Sequence, residues 1–463
     1  MRLFATIALL VVSFSCHASF SADMIISLGL PTLFIETVGG EEPTCDYVYP
    51  PEGAFGKSIN NATKVPGRVY IVHLGDTLYD SGRYADGISG MTIKIRGNTS
   101  AYSDKKPFKI RLEKASDMLS RGDHRYDDRH WALIRDGNSS LKTMIGNKVN
   151  QLIGMAYTPA YEYVNVFFNG DYRGIYMLTE TIRRNPRCRI NVAKSGFILE
   201  CDPYWWNEDR YLRTPDGKYF TFKYPDDKDV VVPQLTYIAS VVKYVENAIT
   251  DGTYMSCIDV RSFARWLLAH DILGSKDGAG SNIFITKYDD SDTTLVSMST
   301  LWDFDSIMKL STDEWSRAHN DTFFYFKALT NNVNTGFLDE YRRLWLEIEP
   351  HLFDDLIGYL EDFRTSPTAL SLQASRHYEF ERWNYVSSSV DDNINDAISW
   401  LRQHEAWLHQ AMMTDDVVAA ELLGMLQTHD AIYTLNGFRL TSPSSISELR
   451  RGVYVRKGKK YLK

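Results

Sequence analysis

At 463 residues and 44% hydrophobic content, the chain is long enough to bury the core of one large or two ordinary domains. A net charge of -8 and a pI near 5.8 exclude the broadly basic face by which proteins hold nucleic acid. With no Cys-x-x-Cys pair and no His-rich tract, the composition also argues against a zinc site.

The first residues, Met1-Arg2, an apolar run over 3–14 and small residues through Ala18 and Ser21, have the layout of a secretory signal peptide, assigned here to 1–22 with cleavage after Ala18 or Ser21. The run is too short to span a bilayer, which takes roughly 20 apolar residues. A lipoprotein anchored through Cys16 ranks second, because Ser13 stands where a lipobox prefers Leu. The expected location is the periplasm, the cell surface or the medium. An oxidising compartment would permit disulfides among Cys45, Cys188, Cys201 and Cys257, in no specified pairing.

From 30 to 112, short apolar runs such as Val69-Tyr70-Ile71-Val72 and Met91-Thr92-Ile93-Lys94-Ile95 alternate with Gly, Pro and Asp, which is strand and turn texture. Leu141, Ile145, Val149 and Leu152 recur at helical spacing, and 164–180 reads as two strands around Asn169-Gly170-Asp171. Beyond Val231 the stretches 235–249, 260–273, 338–363 and 394–413 carry helical periodicity. A strand-rich front and a helical back make an α+β chain with a cleft expected between its parts. After residue 430 two further strand-like runs, with Asn436-Gly437 and Lys457-Gly458 as turns, fit a small C-terminal β-hairpin.

The chemistry concentrates in Asp277-Gly278-Ala279-Gly280-Ser281-Asn282 and, downstream, Trp302-Asp303-Phe304-Asp305. Phosphoryl transfer needs a carboxylate to orient the attacking hydroxyl and oxygen ligands that hold magnesium against the phosphates. In protein kinases the catalytic Asp is followed five residues later by Asn, and a later Asp holds metal. Asp277, Asn282 and Asp303 reproduce that order, although Ser275-Lys276 replaces the kinase His-Arg and Asp305 replaces the Gly of Asp-Phe-Gly. No kinase-type Gly-x-Gly-x-x-Gly loop is present; the turns at Gly87, Gly90 and Gly97 are the candidates to replace it. A capped turn after the preceding helix is the plain alternative for the first segment.

Four blocks sharpen the comparison. Ile95-Arg96-Gly97-Asn98-Thr99-Ser100 leads to Lys105-Lys106-Pro107-Phe108-Lys109-Ile110-Arg111-Leu112; Trp131-Ala132-Leu133 with Asp136, and Asn169-Gly170-Asp171-Tyr172-Arg173-Gly174, follow in order before the acidic segments. Together they resemble the spore coat protein H (CotH-type) family of atypical protein kinases, from about residue 30 to about 305. The resemblance implies a two-lobed, kinase-like fold over 23–415 that uses ATP with magnesium or manganese. It implies Asp277 as catalytic base, Asn282 and Asp303, with Asp305 beside them, as metal ligands, and Lys109 or Lys106 with Arg96 on the phosphates. Lys109 and Arg111 alternate with Phe108, Ile110 and Leu112, so the two cations share one strand face. Glu180 is read either as a lysine or nucleotide partner or as an ordinary exposed Glu.

The implied acceptor is a Ser or Thr hydroxyl on an extracytoplasmic protein. The tail 430–463 resembles the C-terminal sorting segments of proteins exported by Bacteroidetes, with a plain capping hairpin as the alternative. Two rival functions stand beside the kinase. One is a catalytically silent, kinase-like surface protein that binds partners; the other is a glycan-binding protein suggested by Tyr204-Trp205-Trp206. The run Asp289-Asp290-Ser291-Asp292 is dense enough in carboxylates to consider calcium, with a solvated turn as the plainer reading.

Overall fold

The computed structural model describes residues 20–135, 141–276, 281–316, 324–331, 336–384 and 388–414, together with the backbone of three short strands beyond them. The signal segment up to residue 19, including Cys16, lies outside the described residues, as do Asp136 and 277–280. A short helix, α1 (Ala22–Ser27), leads into β1 (Thr32–Thr37), the paired strands β2 (Asp46–Val48) and β3 (Ser58–Asn60), then β4 (Val65–His73), β5 (Asp76–Asp80), β6 (Met91–Ile95), β7 (Phe108–Ser116) and β8 (Asp128–Arg135). Helix α2 (Lys142–Leu152) precedes the hairpin of β9 (Tyr161–Phe168) and β10 (Asp171–Glu180). The Asn-Gly turn expected between those two strands is there, with Asn169 at φ 49 and Gly170 at φ 82, the left-handed pair that a tight hairpin needs.

Seven strands close on themselves in the order β1-β9-β10-β8-β7-β6-β4, and β4 pairs back with β1 from Thr32↔Val72 to Thr37↔Gly67. The result is a barrel, with β5 added at the side of β4; a barrel is more than the strand texture of the sequence indicated. Closure removes the sheet edges that would otherwise be left unpaired. Alternation sends Leu33, Val69, Ile93, Ile110, Trp131, Leu133, Val166 and Leu178 into the interior, all at 1% exposure or less. Burying a side chain of this size contributes about 1.5–3 kcal/mol.

Strand β10 is buried on both faces. Tyr176 and Leu178 fill the barrel, while Ile175 and Met177 join the larger core of the helical half. That explains its continuous apolar run, where a half-exposed strand would alternate.

The second half opens with β11 (Phe197–Cys201), β12 (Tyr211–Arg213) and β13 (Tyr219–Tyr224), then α3 (Val232–Asp251) and α4 (Val260–Leu273). Strands β14 (Ile283–Lys287) and β15 (Val296–Met298) return to the same small sheet, ordered β12-β13-β11-β14-β15. Helices α5 (Phe326–Asn331), α6 (Phe337–Arg364), α7 (Pro367–Trp383) and α8 (Val390–Thr414) complete it. Helix α4 starts where Asp259 caps the amide of Ser262 and buries Phe263, Trp266, Leu267 and Leu268 on α6 and α2.

Helix α7 escaped the sequence reading for a physical reason. Its buried face holds Ser375, Arg376 and Glu379 beside Ala369 and Leu372, so no apolar stripe announces it. Glu379 accepts from the ammonium of Lys105 (2.5 Å) and from the amide of Ile175 (2.7 Å), which pins α7 to the barrel. In the tail, β16 (Ile432–Thr434), β17 (Val453–Arg456) and β18 (Lys459–Leu462) form three antiparallel strands rather than the two of the expected hairpin. No described helix is long and apolar enough to cross a membrane.

Candidate active site

The outer face of β6 and β7 carries the cations that their inward alternation leaves over. Met91, Ile93 and Ile95 face Leu112, Ile110 and Phe108 inside the barrel, so Lys94 stands directly across from Lys109 outside it. Arg111 lies between Thr92 and His130 in the same register. Across from this face are Glu200 and Lys223 of the small sheet, joined as an ion pair, and Glu208. Among the described residues, the side chains of Lys94, Lys109 and Arg183 make no hydrogen bond or ion pair.

Electrostatics follow from that crowding. Burial, then the charges of Lys94, Arg183, Arg96 and Lys223, pushes Lys109 down to about 8. Burial together with Arg183, Lys109, Arg189 and Arg111 takes His130 to about 2, so its imidazole is neutral; its Nδ1 is buried without a partner. Burial lifts the Glu200 carboxyl to about 7 against the pull of Lys223. Burial also lowers Arg96, opposed by Asp303 and Glu200.

Asp303 therefore sits at the Arg96 end of the face. The guanidinium of Arg96 lies 5.9 Å from the centre of the Trp302 ring, next to Asp303 in sequence. Asn282 Nδ2 donates to Asp303 Oδ2 at 3.3 Å. Both residues occupy the left-handed region, Asn282 at φ 60 and Asp303 at φ 65, a conformation Asn and Asp adopt more readily than other side-chain-bearing residues.

Both segments are tied down from behind. Phe304 is buried against Gly146 of α2, where a Cβ would come within 2.0 Å of its ring. The amide of Lys276 donates to Ser306 O (3.2 Å) and that of Met308 to Leu273 O (2.7 Å), joining the end of α4 to the acidic loop. Asp277, the expected base, follows Lys276 and lies outside the described residues. The arrangement is an oxygen-bearing corner beside a row of partnerless cations, which suits a phosphorylated ligand.

The sequence model of the family described as CotH kinase protein matches residues 93–408, more than half of the chain. The chain belongs to the CotH kinase protein family. The match begins in β6, later than the expected start near residue 30, and runs past Asp305 into α8. No curated protein matches the chain.

Other anticipated residues lie apart from that corner. Lys106 donates to Tyr47 Oη (2.6 Å) and Ala101 O (2.9 Å), away from the Lys109 face. Glu180 is buried rather than exposed: it takes Arg121 at 2.9 Å on one oxygen, and the Tyr157 hydroxyl (2.9 Å) and Ala160 amide (3.1 Å) on the other. Its side chain follows Tyr176 and Leu178 inward while Lys109 faces out. Asp305 is exposed, and its charge acts on Lys142.

The acidic run closes the β14–β15 turn. Asp289 accepts from the Thr294 hydroxyl (2.5 Å), and Lys287 donates to the carbonyls of Asp289 and Ser291. Trp205 stacks on Tyr219 at 3.9 Å between centroids, a packing role for one of the three aromatics. The four cysteines from Cys45 to Cys257 are unpaired.

Sequence reasoning passed over Lys94, His130, Arg183, Glu200 and Lys223. Lys94 had a signal, since it alternates with Met91, Ile93 and Ile95 as Lys109 does with its own neighbours. Glu200 and Lys223 had none, because only the folding of the small sheet onto the barrel brings them there.

Proposed function

We propose that this CotH kinase protein transfers the γ-phosphoryl group of ATP to a Ser or Thr hydroxyl of an extracytoplasmic protein, in a kinase-like cleft between the barrel and the helical half. The observation that carries this reading is the row of half-buried cations, without side-chain hydrogen bonds or ion pairs, that ends at Asn282 and Asp303. Lys109, Lys94 and Arg96 neutralise phosphate oxygens, and an anion beside Lys109 restores the ammonium that burial disfavours. Asp277 takes the acceptor proton as the hydroxyl oxygen bonds to the γ-phosphorus; the bond to the bridging oxygen breaks and ADP leaves.

The oxygen donors of Asn282 and Asp303 fit magnesium or manganese, hard cations that use one or two protein groups and complete their shell with phosphate and water. When bound, the metal supplies positive charge on the transferring phosphate.

The export reading carries with it a cleavage after Ala18 or after Ser21. Phe20 packs on Tyr172 and Tyr378, at 5.2 and 6.0 Å between centroids, so cleavage after Ala18 keeps a residue that the fold uses.

The test is phosphate transfer from labelled ATP with magnesium or manganese, to the protein itself and to an acidic protein acceptor. Labelling that Asp277→Ala and Asp303→Ala both abolish supports the assignment. Nucleotide binding without any transfer replaces it with the silent, partner-binding surface protein.

A further inference from the structure

The cations on the outer face of the barrel run further than a triphosphate needs. Arg96 follows β6, with its amide on Pro107 O at 3.1 Å; Lys94 and Lys109 face each other two residues on; Arg111 faces His130 two residues beyond that. Four residues of strand make the row about 13 Å long at roughly 3.3 Å per residue. Arg183 extends it: it lies three residues past Glu180, which pairs with Trp131 next to His130, and its charge acts on Lys109, His130 and Arg111.

Carboxylates act on parts of the row, but none forms an ion pair with Lys94, Lys109 or Arg183 among the described residues. Asp303 faces its Arg96 end, Glu200 is already held by Lys223, and Glu208 acts on Lys94. At the far end Glu113 meets Arg111 at 3.3 Å, while Asp128 and Asp226 act on Arg183 without pairing with it.

A nucleotide with its terminal phosphate at Asp303 turns neutral after three phosphates, at its ribose and base. Arg111 and Arg183 stand where that ligand has no more charge to offer. We propose that the row is a binding track for a linear phosphate chain longer than three, and that inorganic polyphosphate is the ligand class it fits. The inference rests on reading this face as the phosphate-binding face. Polyphosphate and ATP share Arg96, Lys94 and Lys109, so the two compete.

The experiment measures the affinity of the full chain for tripolyphosphate and for a longer linear polyphosphate, by calorimetry at fixed ionic strength. The longer chain should bind at least about tenfold more tightly. Arg183→Ala and Arg111→Ala should each remove most of that gain and leave tripolyphosphate unchanged, whereas Lys109→Ala should weaken both ligands. Arg183→Lys, which keeps the charge, should retain most of the gain and guards against a folding defect. Lys57→Ala, outside the row, should change nothing.

Affinity independent of chain length, or a gain lost equally in Lys57→Ala, overturns the track. The kinase reading fails separately: absent ATP turnover with chain-length dependence intact removes that reading and leaves the track. Turnover with flat chain-length dependence removes the track alone.

Discussion

Replacing Lys109 with Met tests the electrostatics of the cationic face in both directions at once. Its ammonium is held at about 8 against an ordinary 10.5 by burial first and by four neighbouring cations second. That displacement corresponds to about 3 kcal/mol of destabilisation in the ligand-free fold. Below pH 8 both folded and unfolded chains carry the proton and the whole penalty is present. Between pH 8 and 10.5 the unfolded chain keeps a proton that the folded chain has released, so stability rises with pH and the penalty fades.

Lys109→Met keeps the stem and removes the charge, so at pH 7 the variant should be more stable than the wild type by up to about 3 kcal/mol in urea unfolding. The gap should close as the pH approaches 10.5. Adding tripolyphosphate should stabilise the wild type, because the ligand binds only the folded state, and should do little for the variant. Equal stability at pH 7, or a gap that does not shrink with pH, would refute the claim that this lysine is desolvated without a compensating anion.

Three further outcomes follow from particular contacts. Glu379→Ala leaves the ammonium of Lys105, fully buried, with the carbonyl of Ile175 and the face of the Tyr176 ring but no counter-charge, and should cost about 3–5 kcal/mol; Lys105→Met with Glu379→Leu should recover much of it. Gly146→Ala drives a methyl into the Phe304 ring, so it should destabilise the protein by about 1–3 kcal/mol and lower phosphate transfer more than binding, read as kcat against KM. N-terminal sequencing of exported protein should find Ser19 first; a start at Ala22 would mean that Phe20 is dispensable.

The sequence alone determined whatever depends on neighbours in the chain. Alternation along 108–112 put Lys109 and Arg111 on one face, the Asn169-Gly170 turn specified a hairpin, and period-3.6 stripes marked α3, α4, α6 and α8. The order of the motif blocks carried the family, which the match over residues 93–408 bears out. Only the tertiary structure decided the rest. Closure of the barrel pairs β1 with β4 and β9, a choice made by packing between distant segments. Lys105 meets Glu379 across 274 positions, and neither residue's local context calls for a buried partner. Glu180 belongs to Arg121 and Tyr157 because the barrel turns it inward. Lys94 and Lys109 stay unpaired because the small sheet that folds over them brings a Glu200 already joined to Lys223, and a balance of burial against distant charge has no period that a sequence can display.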